Sequence, residues 1–399
     1  MRGSSRSAAV STRYDVAVVG LGAMGAAAVA ACAARGVRAI GIDRNARGHA
    51  LGASNGKSRI VRQAYYEHPA YVPLLVRAYE RWRELERTAG TELLELCGLL
   101  MAGRPGSPVI DGALRSARAH GLAVEEYDAG DIRERYPGLC VRDDETGVFE
   151  PAGGYVRPEA AVDAFLRCAE RDGATLRFAC GMRSWSADAD GVAIALDDGS
   201  TIAAARLVLG LGPWFAETLG SLGAPLAVQR NVQVWFAPST RAYDLGRFPV
   251  FLLDRDGLPA PVYGFPDAGD GVKAAFHGLG AITTPDAVDR RVDPTRDIAP
   301  LAAALDGWMP GASGPVSEAK VCMYARTPDD DFAIDLHPEH ANVVLCGGFS
   351  GHGFKFASVV GEIAADLALD GGTALDIGFL SLRRFSRGSA PANPRSPQA

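Results

Sequence analysis

Residues 14–25 read Tyr14-Asp15-Val16-Ala17-Val18-Val19-Gly20-Leu21-Gly22-Ala23-Met24-Gly25, followed by an alanine-rich run to about Arg35 and then Val37–Ile42 and Asp43. The first six residues form an apolar run of β type, the alanines suit a helix, and Val37–Ile42 suits a second strand. Together they predict a βαβ unit. Gly20, Gly22 and Gly25 fall at the strand-to-helix turn, where small residues allow a tight bend and close backbone approach. The helix N-terminus would face a pyrophosphate, and Asp43 would accept the hydroxyls of a ribose. The pattern predicts dinucleotide binding without separating one dinucleotide from another.

The same stretch could be misread as a membrane span, because Val16–Ala34 is uncharged over 19 residues. Its three glycines and its alanine content argue instead for strand, turn and helix. The Ser/Arg-rich Met1–Arg13 has no apolar core, so it reads as a disordered tail and not as a secretory signal. A cytoplasmic protein is expected. The net charge of −6 argues against nucleic acid or an anionic membrane as a partner, since both need a basic face. Seven scattered cysteines without CxxC spacing suggest neither a disulfide framework nor a zinc site.

Further out, Pro69–Glu86 has helical apolar spacing, as do Val109–His120 and Pro158–Asp172. Thr175–Phe178, Gly191–Leu196 and Arg206–Gly210 resemble strands. From about 226 to 324 strands alternate with Pro/Gly turns, which predicts an antiparallel sheet covering a substrate. A strand at Asn342–Cys346 precedes a helix from Ala357 to Leu369, and the Ser/Pro/Arg-rich Ser386–Ala399 reads as a second disordered tail. The expected fold class is α/β and two-lobed. A Rossmann-type lobe (14–95, 150–225 and 325–385) is interleaved with an antiparallel substrate lobe (96–149 and 226–324).

Several blocks carry a more specific likeness. Arg206-Leu-Val-Leu-Gly-Leu-Gly212-Pro-Trp214 looks like the second fingerprint of flavin-binding chains. Ser58-Arg59-Ile60-Val61-Arg62, Tyr263-Gly-Phe-Pro266, Val321-Cys322-Met323-Tyr324, Asp335-Leu-His-Pro-Glu-His340 and Gly348-Phe-Ser-Gly-His-Gly-Phe-Lys355 occur in order along the chain. With that spacing the sequence resembles the monomeric sarcosine oxidase, N-methyltryptophan oxidase and pipecolate oxidase family, from about Tyr14 to Phe385.

The resemblance implies an FAD-dependent enzyme and a monomer, with the flavin joined to Cys322 as an 8α-S-cysteinyl link. It implies that Gly20, Gly22, Gly25, Asp43, Ser58, Arg59, Gly351 and Lys355 bind the cofactor and that Arg59 balances charge beside the flavin. Lys273 would supply the cation for electron transfer to O2. Arg62 and Lys355 would clamp a substrate carboxylate, and two such cations repel unless an anion completes them. His277 and Tyr324 would position the amine and its proton, with Tyr263 shaping the pocket. Composition supports the lysines independently: 37 of the 41 basic residues are Arg and four are Lys, so a retained lysine suggests chemical need. His337 and His340 have metal-like spacing, but Pro338 breaks a helix there and a loop role is preferred. No metal site is expected.

The expected reaction is oxidation of the C–N bond of a secondary, N-methyl or cyclic, amino acid to an imine, with O2 reduced to hydrogen peroxide. A tailoring oxidase for an unusual amino acid, or a dehydrogenase with another electron acceptor, are the alternatives. One departure from the family stands at Gly52-Ala-Ser-Asn-Gly-Lys-Ser58, where relatives commonly have a histidine and an aspartate. Asn55 and Lys57 are therefore expected to change the charge beside the flavin.

Overall fold

A computed structural model describes residues 13–385; the two expected tails lie outside this range, apart from Arg13. Tyr14–Val19 is the centre of an eight-stranded sheet, hydrogen-bonded in parallel to Thr201–Leu209 on one side and Ala39–Ile42 on the other. Thr175–Arg177 extends the parallel run beyond Ala39–Ile42, and Val343–Gly347 pairs in parallel with Thr201–Leu209. Strands covered on both faces need apolar residues throughout, which is why this core reads as continuous runs. Helix Ala23–Ala34 covers one face and packs against helices Pro158–Arg171 and Ala357–Asp370. Its small side chains let the backbones meet. A Cβ on Gly361 would lie 2.6 Å from the carbonyl carbon of Ala27.

The second sheet has nine strands, drawn from residues 99–150 and 227–326. Its pairs are antiparallel except one: Val250–Asp254 runs parallel to Leu99–Gly103. The pairs within 227–326 are all antiparallel, as expected, and the parallel pair is made where that stretch meets the earlier one. The chain between those strands passes through the first sheet, so no hairpin fixes their relative direction. Strand Ala227–Phe236 shows the two-residue alternation of a sheet buried differently on each face. Val234 and Phe236 join Phe251, Leu253, Val272 and Phe276 in an apolar core. Gln229, Asn231, Gln233 and Trp235 face the other way, on the side that carries Lys273, Cys322 and Tyr324. Arg59–Val61, Gly154–Val156 and Leu94–Glu95 form a small third sheet.

The expected helix Pro69–Glu86 is a single 3-10 turn, Pro69–Tyr71, leading into an α-helix, Val72–Ala89. It runs one turn further than expected because Gly90, at φ 63, closes it by donating its N–H to Glu86 O.

Candidate functional site

The glycine turn is built by close approach. Gly20 has φ 87, and a Cβ there would lie 2.5 Å from Gly210 O, in the second glycine turn. A Cβ on Gly25 would collide with Gly20 O. Asp43 braces the turn, its carboxylate accepting from Leu21 N at 2.7 Å and Asn45 N at 2.8 Å. These groups open onto a cavity of about 1060 Å³ that runs from Asp43 and Arg44 to Cys322, Tyr324 and Gly351. A cradle that a Cβ would fill, a helix N-terminus and an acid beside the glycine turn fit one end of an extended dinucleotide.

The cavity's far end meets one face of the nine-stranded sheet. Tyr263, Lys273, Cys322 and Tyr324 come from three strands and converge there. Lys273 is 2% exposed. Its Nζ donates to Gly56 O (2.6 Å), Ser58 O (2.8 Å) and Ser58 Oγ (3.2 Å), and it lies between the rings of Trp235 and Phe265. Burial pushes its pKa well down and Arg59 adds to this, while Cys322 and Glu159 act in the opposite direction. Arg59 donates to Ala53 O at 3.2 Å and to Asn55 O, and its Nη2 stands 3.7 Å from Cys322 Sγ. The Tyr324 and Tyr263 hydroxyls are 3.5 Å apart, and burial raises the pKa of both phenols. Gly351, at φ 81, packs so closely on the Tyr324 ring that any Cβ would strike it.

Behind Tyr324 and Tyr263 the expected clamp residues form a buried cluster. Arg62 is 3% exposed, with its guanidinium 4.3 and 4.4 Å from the centres of the Tyr65 and Tyr66 rings. It does not wait for a substrate anion, because Nη2 donates to both oxygens of Glu67 at 2.6 Å. Burial opposes both charges, but each ion outweighs it for the other: Arg62 is raised and Glu67 falls to about 2. Lys355 Nζ donates to His352 O at 2.6 Å, and burial with the nearby Arg62 charge brings its pKa down to about 7. The His277 ring lies edge-on to Tyr263 at 6.2 Å and tilted against Tyr324 at 5.7 Å, and burial lowers its pKa to about 4. His352, lowered to about 3 by burial, contacts Tyr65 OH through Nδ1 and Asp330 O through Nε2 at 3.0 Å. A carbonyl only accepts, so Nε2 carries the proton and Nδ1 accepts from the phenol.

Sequence reasoning missed Glu67 and the Tyr65–His352 pair, and it also missed the polar ladder Gln229, Asn231 and Gln233. The charge expected beside the flavin from Lys57 is corrected as well. Lys57, at φ 64, turns outward to Glu318 (2.7 Å) and Asp270 (3.2 Å), acids on the adjoining sheet that draw it away. Asn55 closes its own loop, donating to Ala50 O and Gly52 O. The His337 and His340 rings lie tilted, 4.8 Å apart, beside Trp185 in a loop. Among the described residues, no group of three or more His, Cys, Asp or Glu could hold a metal ion, and no helix is long and apolar enough to cross a membrane.

Residues 15–367 match the model of the FAD dependent oxidoreductase family. The chain is 43% identical to monomeric sarcosine oxidase of Streptomyces avermitilis, over 96% of this chain and 100% of that protein. It is 34% identical to N-methyl-L-tryptophan oxidase of Yersinia pestis, over 93% of this chain and 99% of that protein. Among solved structures, it superposes on NikD, an unusual amino acid oxidase essential for nikkomycin biosynthesis, in its open form. The TM-score is 0.81 at 26% identity, covering 92% of this chain and 97% of that one.

Proposed function

The chain belongs to the FAD dependent oxidoreductase family, alongside the monomeric sarcosine and N-methyl-L-tryptophan oxidases, and from that premise we propose that it oxidises a secondary amino acid at the C–N bond, releasing an imine and forming hydrogen peroxide from O2. When bound, FAD supplies the two-electron acceptor. The observation that carries the reading is that Tyr324 lines the dinucleotide cavity while His277, 5.7 Å from its ring, feels the charges of Glu67, Arg62 and Lys355.

In this reading Gly20, Gly22, Gly25 and Asp43 hold the dinucleotide, and Cys322 carries the flavin covalently with Arg59 and Ser58 beside it. Gly351 allows close approach, and Lys273 stabilises the charge that develops as O2 is reduced. Arg62 and Lys355 take the substrate carboxylate. His277, neutral at physiological pH, Tyr324 and Tyr263 then face the amine. Residues 14–95, 150–225 and 325–385 are assigned to the FAD-binding lobe, and 96–149 and 226–324 to the substrate lobe, in a monomer acting in the cytoplasm. The likeness to NikD supports a second reading, a tailoring oxidase for an unusual amino acid.

A peroxide-coupled screen of N-methyl and cyclic amino acids tests the proposal. Turnover without peroxide would replace it with a dehydrogenase using another acceptor. Protein precipitated with acid should stay yellow, and Cys322→Ala should release its flavin into the supernatant.

A further inference from the structure

Three side chains on strand Ala227–Phe236 have no part in these roles. Gln229, Asn231 and Gln233 stand two residues apart and share one face of the sheet. They are 6%, 2% and 1% exposed, yet Gln229 Oε1, Asn231 Nδ2 and Gln233 Oε1 have no hydrogen-bond partner. An unpaired buried polar group costs about 1–3 kcal/mol, so each one calls for an explanation. The two glutamines have structural neighbours. Gln229 Nε2 holds Gly278 O and Gly280 O at 2.9 and 3.1 Å, and Gln233 Oε1 fills the space beside Gly56.

Asn231 is different. The antiparallel register sets it directly opposite Cys322, so the two side chains rise from the same face as a cross-strand pair. Cys322 Sγ is 3.9 Å from Ala53 O and 3.8 Å from Met323 O. Carbonyls accept, which suits the thiol but not the thiolate. A thiolate needs donors. Arg59 supplies one on its side, and an amide with free N–H groups stands across the strand on the other.

We propose that Asn231 is a positioning residue for flavin attachment: its amide, unpartnered across the strand from the thiol, turns to donate an N–H to the Cys322 sulfur once that sulfur is a thiolate. This inference rests on the reading that Cys322 carries FAD covalently. In the attachment, a C–S bond forms between Sγ and the flavin 8α carbon. The thiol hydrogen and one 8α hydrogen leave, and both, with two electrons, reduce O2 to hydrogen peroxide. The nucleophile is the thiolate, so any group that favours it accelerates the step.

The test uses the full-length apoprotein of the wild type and of Asn231→Leu, Asn231→Asp and Asn231→Gln. Alkylation of Cys322 by iodoacetamide at fixed pH is followed by peptide mass spectrometry, and covalent incorporation is followed after addition of FAD in air. Asn231→Leu should slow both roughly tenfold, the factor that corresponds to losing one hydrogen bond to a charged sulfur. Asn231→Asp, with a negative charge beside the sulfur, should slow both further, whereas Asn231→Gln should restore both by keeping a donor. Wild-type alkylation in Asn231→Leu overturns the inference, even if incorporation falls, because the defect then lies away from the sulfur. No covalent flavin in the wild type overturns the reading beneath it instead.

Discussion

Burial opposes the charge of both cations proposed for the clamp, yet the two end differently. Arg62 keeps its charge against burial because Glu67 lies 2.6 Å away, whereas Lys355 has no such ion pair and falls to about 7. A bound carboxylate would favour protonated Lys355. Below pH 7 the lysine already carries its proton, and affinity should be flat. Above it, binding must draw a proton from solution, so affinity should fall by up to about tenfold per pH unit. Titrating the flavin spectrum with a simple carboxylate from pH 6 to 9 measures this, and Lys355→Arg should remove the slope. A flat wild-type profile would take Lys355 out of the clamp. Glu67→Gln leaves Arg62 buried without its counter-ion, so Tm should fall by an amount corresponding to about 2–5 kcal/mol. Saturating carboxylate should recover more of that Tm in the variant than it adds to the wild type; equal gains would mean that the ligand never reaches Arg62. At this scale, the scarcity of lysine and the specific flanking motifs singled out Lys273 and Lys355 in the sequence, and the fold buries both. Glu67 was not, since its five-residue separation from Arg62 follows no helical or strand period and only the folded turn brings the two together.

Among the elements, the central strands, the glycine turn and the C-terminal helix were legible because each carries a strong period or a steric signature. The parallel pair of Leu99–Gly103 with Val250–Asp254 was not, since pairing between distant segments leaves no local pattern. Nor was the outward turn of Lys57, whose acidic partners Asp270 and Glu318 belong to another lobe. The loop after strand Val343–Gly347 gives the clearest test of an element. It brings Gly351 in at φ 81 against the Tyr324 ring, so the backbone of one lobe sets the position of a side chain from the other. Gly351→Ala should lower stability by at least about 1 kcal/mol, because alanine resists positive φ. It should also displace Tyr324 and lower kcat/KM with the flavin still bound. Denaturant unfolding and steady-state kinetics on flavin-replete protein separate the two effects. Unchanged kinetics in a destabilised variant would remove Tyr324's position from the argument.

At the scale of the molecule, the chain crosses between the two sheets repeatedly, so the dinucleotide cavity is walled by segments far apart in sequence. The rim shows this most directly. Trp214, beyond the second glycine turn, donates from Nε1 to Asp286 Oδ1 at 2.8 Å, and Asp286 belongs to the other lobe. Arg44, next to Asp43, stacks 5.3 Å from the Trp214 ring and lies 3.8 Å from the same carboxylate. Arg290 donates to Leu51 O at 2.6 Å, a second link across the lobes. All three members of the Trp214–Asp286–Arg44 contact line the cavity, so this contact should retard loss of a flavin that is not covalently bound. The ion pair is exposed and contributes about 0–1 kcal/mol, and the hydrogen bond adds roughly 0.5–1.5 kcal/mol. In a Cys322→Ala background, Asp286→Ala should therefore release FAD about 2–70-fold faster than its parent. Asp286→Asn keeps an acceptor for Trp214 and loses only the charge, so its release should be intermediate. Because salt screens exposed charges over about 10 Å at 0.1 M, raising the ionic strength should move the parent toward Asp286→Asn and leave Asp286→Ala unmoved. Flavin fluorescence after dilution into apoprotein-free buffer follows the release. Parental rates in Asp286→Ala would mean that the rim closes the lobes without holding the cofactor, and that retention comes from the glycine cradle alone.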